Sequence, residues 1–130
     1  MSTPDTWYAY FHIRGSFDPN DVTRLTQISP SYSIKEGEIG RQGRAVPCSH
    51  WELKSRMGLT DALESHVSDV LEQLDQNEAA FKSLANEYGG TMQLVGYFKD
   101  EEPRMHFERE TIEKMTRYGL SLDCDFYNWR

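Results

Sequence analysis

Asp123 and Asp125 stand two residues apart near the end of the sequence, inside LSLDCDFYNW, residues 120–129. If that stretch is extended, both carboxylates project from one side of it, about 7 Å apart. Two carboxylates at that spacing, joined by a histidine, could hold a divalent cation or share general acid and base work. His12 and His106 are the histidines to join them. Together these four residues make a candidate site for a metal-dependent hydrolase or a ligand-binding protein. The competing reading is that the carboxylates are solvated and pair with Arg14 or Lys54 across strands, a contribution on the order of a few tenths of a kcal/mol.

Motifs that would favour an enzyme are missing from the sequence. It has no HExxH and no CxxC, so the compact spacings of zinc peptidases, zinc ribbons and redox sites do not occur. GEIGRQG has glycines at 37, 40 and 43, but no strand-to-helix context surrounds it, so it is not a phosphate-binding fingerprint. Cys48 and His50 are two apart in an irregular region and make a poor nucleophilic dyad. His66 falls one residue before an apolar helical stripe and reads as a surface or boundary histidine. The expectation is therefore no catalytic residue, no metal and no cofactor.

Polarity patterns define the elements that would carry these residues. WYAYFHIR alternates, with Trp7, Ala9, Phe11 and Ile13 on one face and Tyr8, Tyr10, His12 and Arg14 on the other, which predicts a strand ended by Gly15. Asp18 as N-cap and Pro19 at the first helical position open a short helix, with Val22, Leu25 and Ile28 as its buried stripe. Ser31–Lys35 is a candidate short strand, followed by a long glycine-bearing loop. HWELKS predicts a strand with His50, Glu52 and Lys54 away from the core. Thr60 to Tyr88 reads as two helices, capped by Thr60 and Asn77, with a bend at DQNEAA. The rival is one long helix with a buried asparagine. TMQLVGYFKDEEPRMHFER predicts a hairpin that turns at DEEP. Its first strand sets Gln93, Val95 and Tyr97 on the off-core side, and its second sets His106 and Glu108 there. ETIEKMTRYG follows as a helix with Ile112 and Met115 inward, and then the final strand. The order β-α-(β)-β-α-α-β-β-α-β fits an α+β fold: a mostly antiparallel or mixed sheet with helices on one face.

Composition narrows the function. The chain has 130 residues, 38% hydrophobic and 27% charged, with a formal net charge of -7. That size predicts a single domain over 1–130 with its own core. Without a basic stripe, nucleic acid and anionic membranes are poor partners, whereas a cationic partner would be steered in. No apolar run reaches membrane-spanning length and the first residues do not read as a signal peptide. Two cysteines without a motif suit a reducing compartment. The expected location is the cytoplasm.

YFHIRGSFDPNDVTRLTQISPSYSIKEGE, HWELKS, LESHVSDVLEQL and LSLDCDFY together resemble the bacterial domain of unknown function 4279 along nearly the whole chain. The resemblance implies an α+β fold and a bacterial or phage origin, and it transfers no activity and no site residue. Small bacterial families of this style include immunity proteins for secreted toxins.

With helices on one side of the sheet, the other side should collect Tyr8, Tyr10, His12, Glu52, Tyr97, His106, Glu108, Asp123, Asp125 and Tyr127. A merely solvated face would hold more lysine and threonine and fewer tyrosines. Tyrosine joins large contact area to a polar tip at low rotamer cost, which suits recognition. The expectation is a non-enzymatic protein that binds a protein partner through this face, such as an immunity-type toxin inhibitor. The alternatives are the His/Asp hydrolase or ligand site and a homodimer built on the same face.

Overall fold

The structure, a computed structural model, describes residues 4–99 and 105–128. The elements run β1 (Thr6–Gly15), α1 (Pro19–Thr26), β2 (Tyr32–Ile34), β3 (Ser49–Lys54), α2 (Leu63–Asp75), α3 (Glu78–Tyr88), β4 (Thr91–Phe98), α4 (Arg109–Tyr118) and β5 (Ser121–Asn128). One five-stranded sheet has the order β2-β3-β1-β4-β5. β1, β2, β3 and β4 pair antiparallel, and β4 and β5 pair parallel. The α+β class and the mixed sheet are those the sequence indicates, and so is the order of elements apart from the second strand of the predicted hairpin.

The core lies on the side of the sheet that holds Ala9, Phe11 and Ile13. Trp51, Met92 and Leu94 join them from β3 and β4, and α2 and α3 supply Val67, Val70, Leu74 and Phe81, all fully buried. Phe11, Trp51 and Phe81 meet ring to ring at 5.5 to 6.3 Å, in the tilted and edge-on geometries that aromatic quadrupoles prefer. Val22 of α1 and Tyr118 of α4 join the same cluster. All four helices therefore pack on this one side.

Several local expectations change. β4 has two edges, and β1 takes one while β5 takes the other after the α4 crossover. No edge is left for Met105–Phe107, so the predicted hairpin does not form. Those residues are an irregular lead-in to α4, and the expected turn at 100–103 lies outside the described residues. Leu25 and Ile112 were expected inward and are 60% and 53% exposed. α4 turns Thr111 and Tyr118 inward instead. Thr60 does not cap α2, which starts at Leu63 after Ala62.

The chain does break into two helices at Asn77, but the Asn77 side chain makes no capping bond to α3. Its amide donates to the Leu25 and Thr26 carbonyls at 3.0 and 3.2 Å. It thereby satisfies acceptors left over at the end of α1.

His66 is fully buried. α2 lies against β1 and is flanked by α3 and α4. Its inward arc therefore extends past the apolar stripe to His66, Asp69 and Gln73.

Candidate functional site

Cross-strand register assembles the face opposite the helices. Tyr10 sits between Lys54 of β3 and Gln93 of β4, and Gln93 is in turn opposite Asp123 of β5. In the next row His12 lies between Glu52 and Thr91, with Tyr32 beyond Glu52. Tyr8 pairs with Val95, which pairs with Asp125, and Tyr97 pairs with Tyr127. Period-2 alternation puts all of these on one side. Of the expected residues, Tyr8, Tyr10, His12, Glu52, Tyr97, Asp123, Asp125 and Tyr127 are brought together.

His106 and Glu108 are not part of it. They lie in the irregular segment before α4, and the Glu108 amide faces the Glu64 carboxylate of α2 at 3.3 Å. This is helix-layer territory, and His106 there faces Glu108 at 3.2 Å. The set His12, His106, Asp123 and Asp125 is therefore not one site. Among the described residues no cluster of three His, Cys, Asp or Glu side chains has the geometry to hold a metal ion.

The aromatic rings are ordered against one another. Tyr97 and Tyr127 stack at 5.1 Å, Tyr8 and Tyr10 at 6.2 Å, and His12 tilts against Tyr10 at 5.6 Å. The Lys54 ammonium lies 4.3 Å from the Tyr8 ring centroid, a cation–π placement. Beneath the rings, Gln93 and Val95 are only 4% exposed although they point away from the helices. Their cross-strand neighbours on that side are Tyr10 and Asp123 for Gln93, and Tyr8 and Asp125 for Val95. The Gln93 amide donates to Asp125 at 3.1 Å, which supplies the partner a buried amide requires.

Burial sets the protonation behaviour here. It pushes the Tyr10 hydroxyl up to about 12, assisted by negative Glu52. It also raises Tyr8 and Glu52, with Arg41 working against the rise in both. Desolvation and the neighbouring Arg14 hold His12 and His50 below the ordinary histidine value, while Asp123 pulls His12 partly back. At neutral pH His12 and His50 are thus neutral imidazoles and Tyr8 and Tyr10 neutral phenols. Such groups donate and accept hydrogen bonds without first losing a charge's hydration.

The glycine-bearing loop contributes residues that the sequence reading left out. Gly37 and Gly43 adopt positive φ, which lets the chain turn back so that Ile39 bridges Ala45. The fold-back carries Arg41 over the Tyr32 ring at 4.3 Å. Between this loop and the sheet edge lies a recess of about 610 Å³ that includes Tyr32, Ile34, Arg41, His50 and Glu52. A second recess of about 520 Å³ adjoins it across His50 and Glu52 and reaches His12 and Asp123. The available signal was Arg41 and Arg44 among regularly spaced glycines; only the register of β2 reveals that Tyr32 would receive Arg41.

The other chemically suggestive pairs have structural explanations. Ser55 Oγ lies 2.6 Å from His66 Nδ1 and takes the Ala9 amide at 3.3 Å. Both residues are buried in the core, out of a substrate's reach. Asp69 does not complete a triad: it accepts from Arg56 and Gln73. Burial would raise its carboxyl, and the Arg56 bonds outweigh that, so it titrates below the usual range. Cys48 Sγ and His50 Nε2 are 3.9 Å apart, a loose contact for a nucleophile and its base.

The model of the family described as Domain of unknown function (DUF4279) matches residues 5–129, which include every strand and helix described above. The chain belongs to the DUF4279 family. No curated protein and no solved structure matches it. Among the described residues no helix is long and apolar enough to cross a membrane. For this DUF4279 chain, the aromatic sheet face with its two recesses is the candidate site.

Proposed function

We propose that this DUF4279 protein acts by binding a protein partner through the open sheet face, as an immunity-type inhibitor of a toxin in the bacterial cytoplasm. The observation that carries this reading is the ordered tyrosine layer: Tyr8 with Tyr10, and Tyr97 with Tyr127, stacked over a buried Gln93 and Val95. Rings already held by neighbours lose little freedom on association, so more of their contact area counts toward affinity. The flanking recesses offer space for side chains of the partner, and Asp123 and Asp125 would favour a cationic one. Both cysteines are free, which suits a reducing compartment.

The test is co-purification with the products of adjacent genes, each expressed with wild type, Tyr10→Ala and Asp123→Ala. The reading expects a partner held by wild type and weakened by both variants; undiminished binding in both removes the face as the contact. Light scattering at several concentrations decides the homodimer reading of the same face.

A further inference from the structure

Among the described residues β5 is the outermost strand on one side of the sheet and no strand pairs with its outer edge, which leaves that edge chemically ready for another strand. Ser121 lies opposite Thr91 and donates its amide to the Gly90 carbonyl at 3.0 Å. In a ladder, alternate residues turn their backbone groups toward the neighbouring strand. Ser121, Asp123, Asp125 and Tyr127 therefore turn toward β4, and Leu122, Cys124 and Phe126 turn N–H and C=O outward.

Proteins blunt such edges with short strands, charged side chains (lysine above all), proline or bulges. β2, at the opposite edge, is three residues long. β5 is eight residues long without lysine or proline, and its charges are the two aspartates, which oppose an acidic strand but not a basic one.

The side chains of β5 specify what would fit. Asp123 and Asp125 are exposed on the open face, and on the other side Leu122 is 46% exposed and Phe126 half-buried. A second copy pairing antiparallel about Cys124 would set Asp123 of each chain against Asp125 of the other, an unfavourable opposition of like charges. A basic segment reverses that sign, and the net charge of -7 would draw it in.

We propose that the free edge of β5 takes up an extended partner segment of alternating basic and apolar residues by strand addition. Its basic residues lie opposite Asp123 and Asp125 on the open face, and its apolar residues lie over Leu122 and Phe126. Main-chain bonds to the outward groups of β5 supply affinity, and the alternation supplies specificity. This rests on the protein-binding reading above and names the partner's chemistry.

The experiment is fluorescence anisotropy with a labelled peptide of alternating lysine and valine, the same peptide N-methylated on alternate backbone nitrogens, and a glutamate–valine peptide. The proposal expects the lysine peptide to bind and the glutamate peptide not to. N-methylation, which keeps every charge, should weaken binding about tenfold. Asp123→Asn with Asp125→Asn should weaken it about fivefold. Leu122→Pro deletes an outward N–H without touching the β4 ladder and should weaken it about tenfold at an unchanged melting temperature. If that variant melts early, the N-methylated peptide and the asparagine pair decide alone. Equal binding of the methylated and plain peptides, or indifference to the asparagine pair, overturns the proposal. Loss in Tyr10→Ala but not in Leu122→Pro rejects the edge and keeps the face.

Discussion

Gln93 donates its side-chain amide to Asp125 at 3.1 Å while lying 4% exposed on the side of the sheet away from the helices. A buried polar side chain on a helix-free face means that its neighbours close over it. The tyrosine layer is thus a packed structure in its own right.

Removing Gln93 should accordingly resemble a core mutation. Gln93→Ala should cost about 1–3 kcal/mol of folding stability, since it opens a hole under Tyr8 and Tyr10 and takes away the Asp125 bond. Asp125→Asn, which keeps an acceptor, should cost less than about 0.5 kcal/mol. Urea unfolding of the two variants measures both.

Asn77 distinguishes two roles by one substitution. As a helix cap, Asn77→Asp would be neutral, because aspartate caps as well as asparagine. In the structure the Asn77 amide donates to two carbonyls at the end of α1. Aspartate has no donor for them and repels them, so Asn77→Asp should lose about 1–2 kcal/mol. Denaturant midpoints would read the difference.

Gly96 lies between Trp7 and Phe126 in the strand register, and those rings meet edge to face at 6.4 Å across it. An added Cβ would stand 2.5 Å from the Trp7 ring. Gly96→Ala should displace the indole, shift its fluorescence and cost about 1–3 kcal/mol.

Acid sensitivity should come from histidines before carboxylates. Burial holds His66 below the ordinary value of 6.5, and burial with Arg14 does the same for His12 and His50. A base with a depressed folded-state pKa takes up protons more readily when unfolded. Its contribution is present above the unfolded value and is lost as pH falls through 6.5 toward the folded value. Stability should therefore begin to fall as pH drops below about 7, above the range where Asp69 and Asp75, both held below the ordinary carboxylate value, protonate. His66→Gln should be less stable at pH 7 and show a shallower decline, measured by urea titration at several pH values.

The sheet was legible because alternation is local. Tyr8, Tyr10, His12, Glu52, Asp123 and Asp125 were assigned to one side from period alone, and Asp18 was recognisable as the cap whose carboxylate receives the Asn20 amide. Strand partnership was not legible. Met105–Phe107 has the pattern of a strand, but β5 arrives parallel and occupies the edge it would need, so His106 and Glu108 leave the face. Helix orientation was the other gap. Leu25 and Ile112 are apolar yet exposed, and His66 is polar yet buried, because the packing of α1, α2 and α4 decides which arc turns inward. The contribution of Arg41 depended on a loop fold-back that has no periodicity to read.

The proposed contact surface is the tyrosine face. Its most direct measurement is titration calorimetry of the captured partner against wild type and Tyr10→Ala, with both proteins equally folded by circular dichroism. Truncating a ring at the centre of the contact should cost about 2 kcal/mol, roughly thirtyfold in Kd. A Kd unchanged in Tyr10→Ala and in the Asp123→Ala variant would remove this face as the contact.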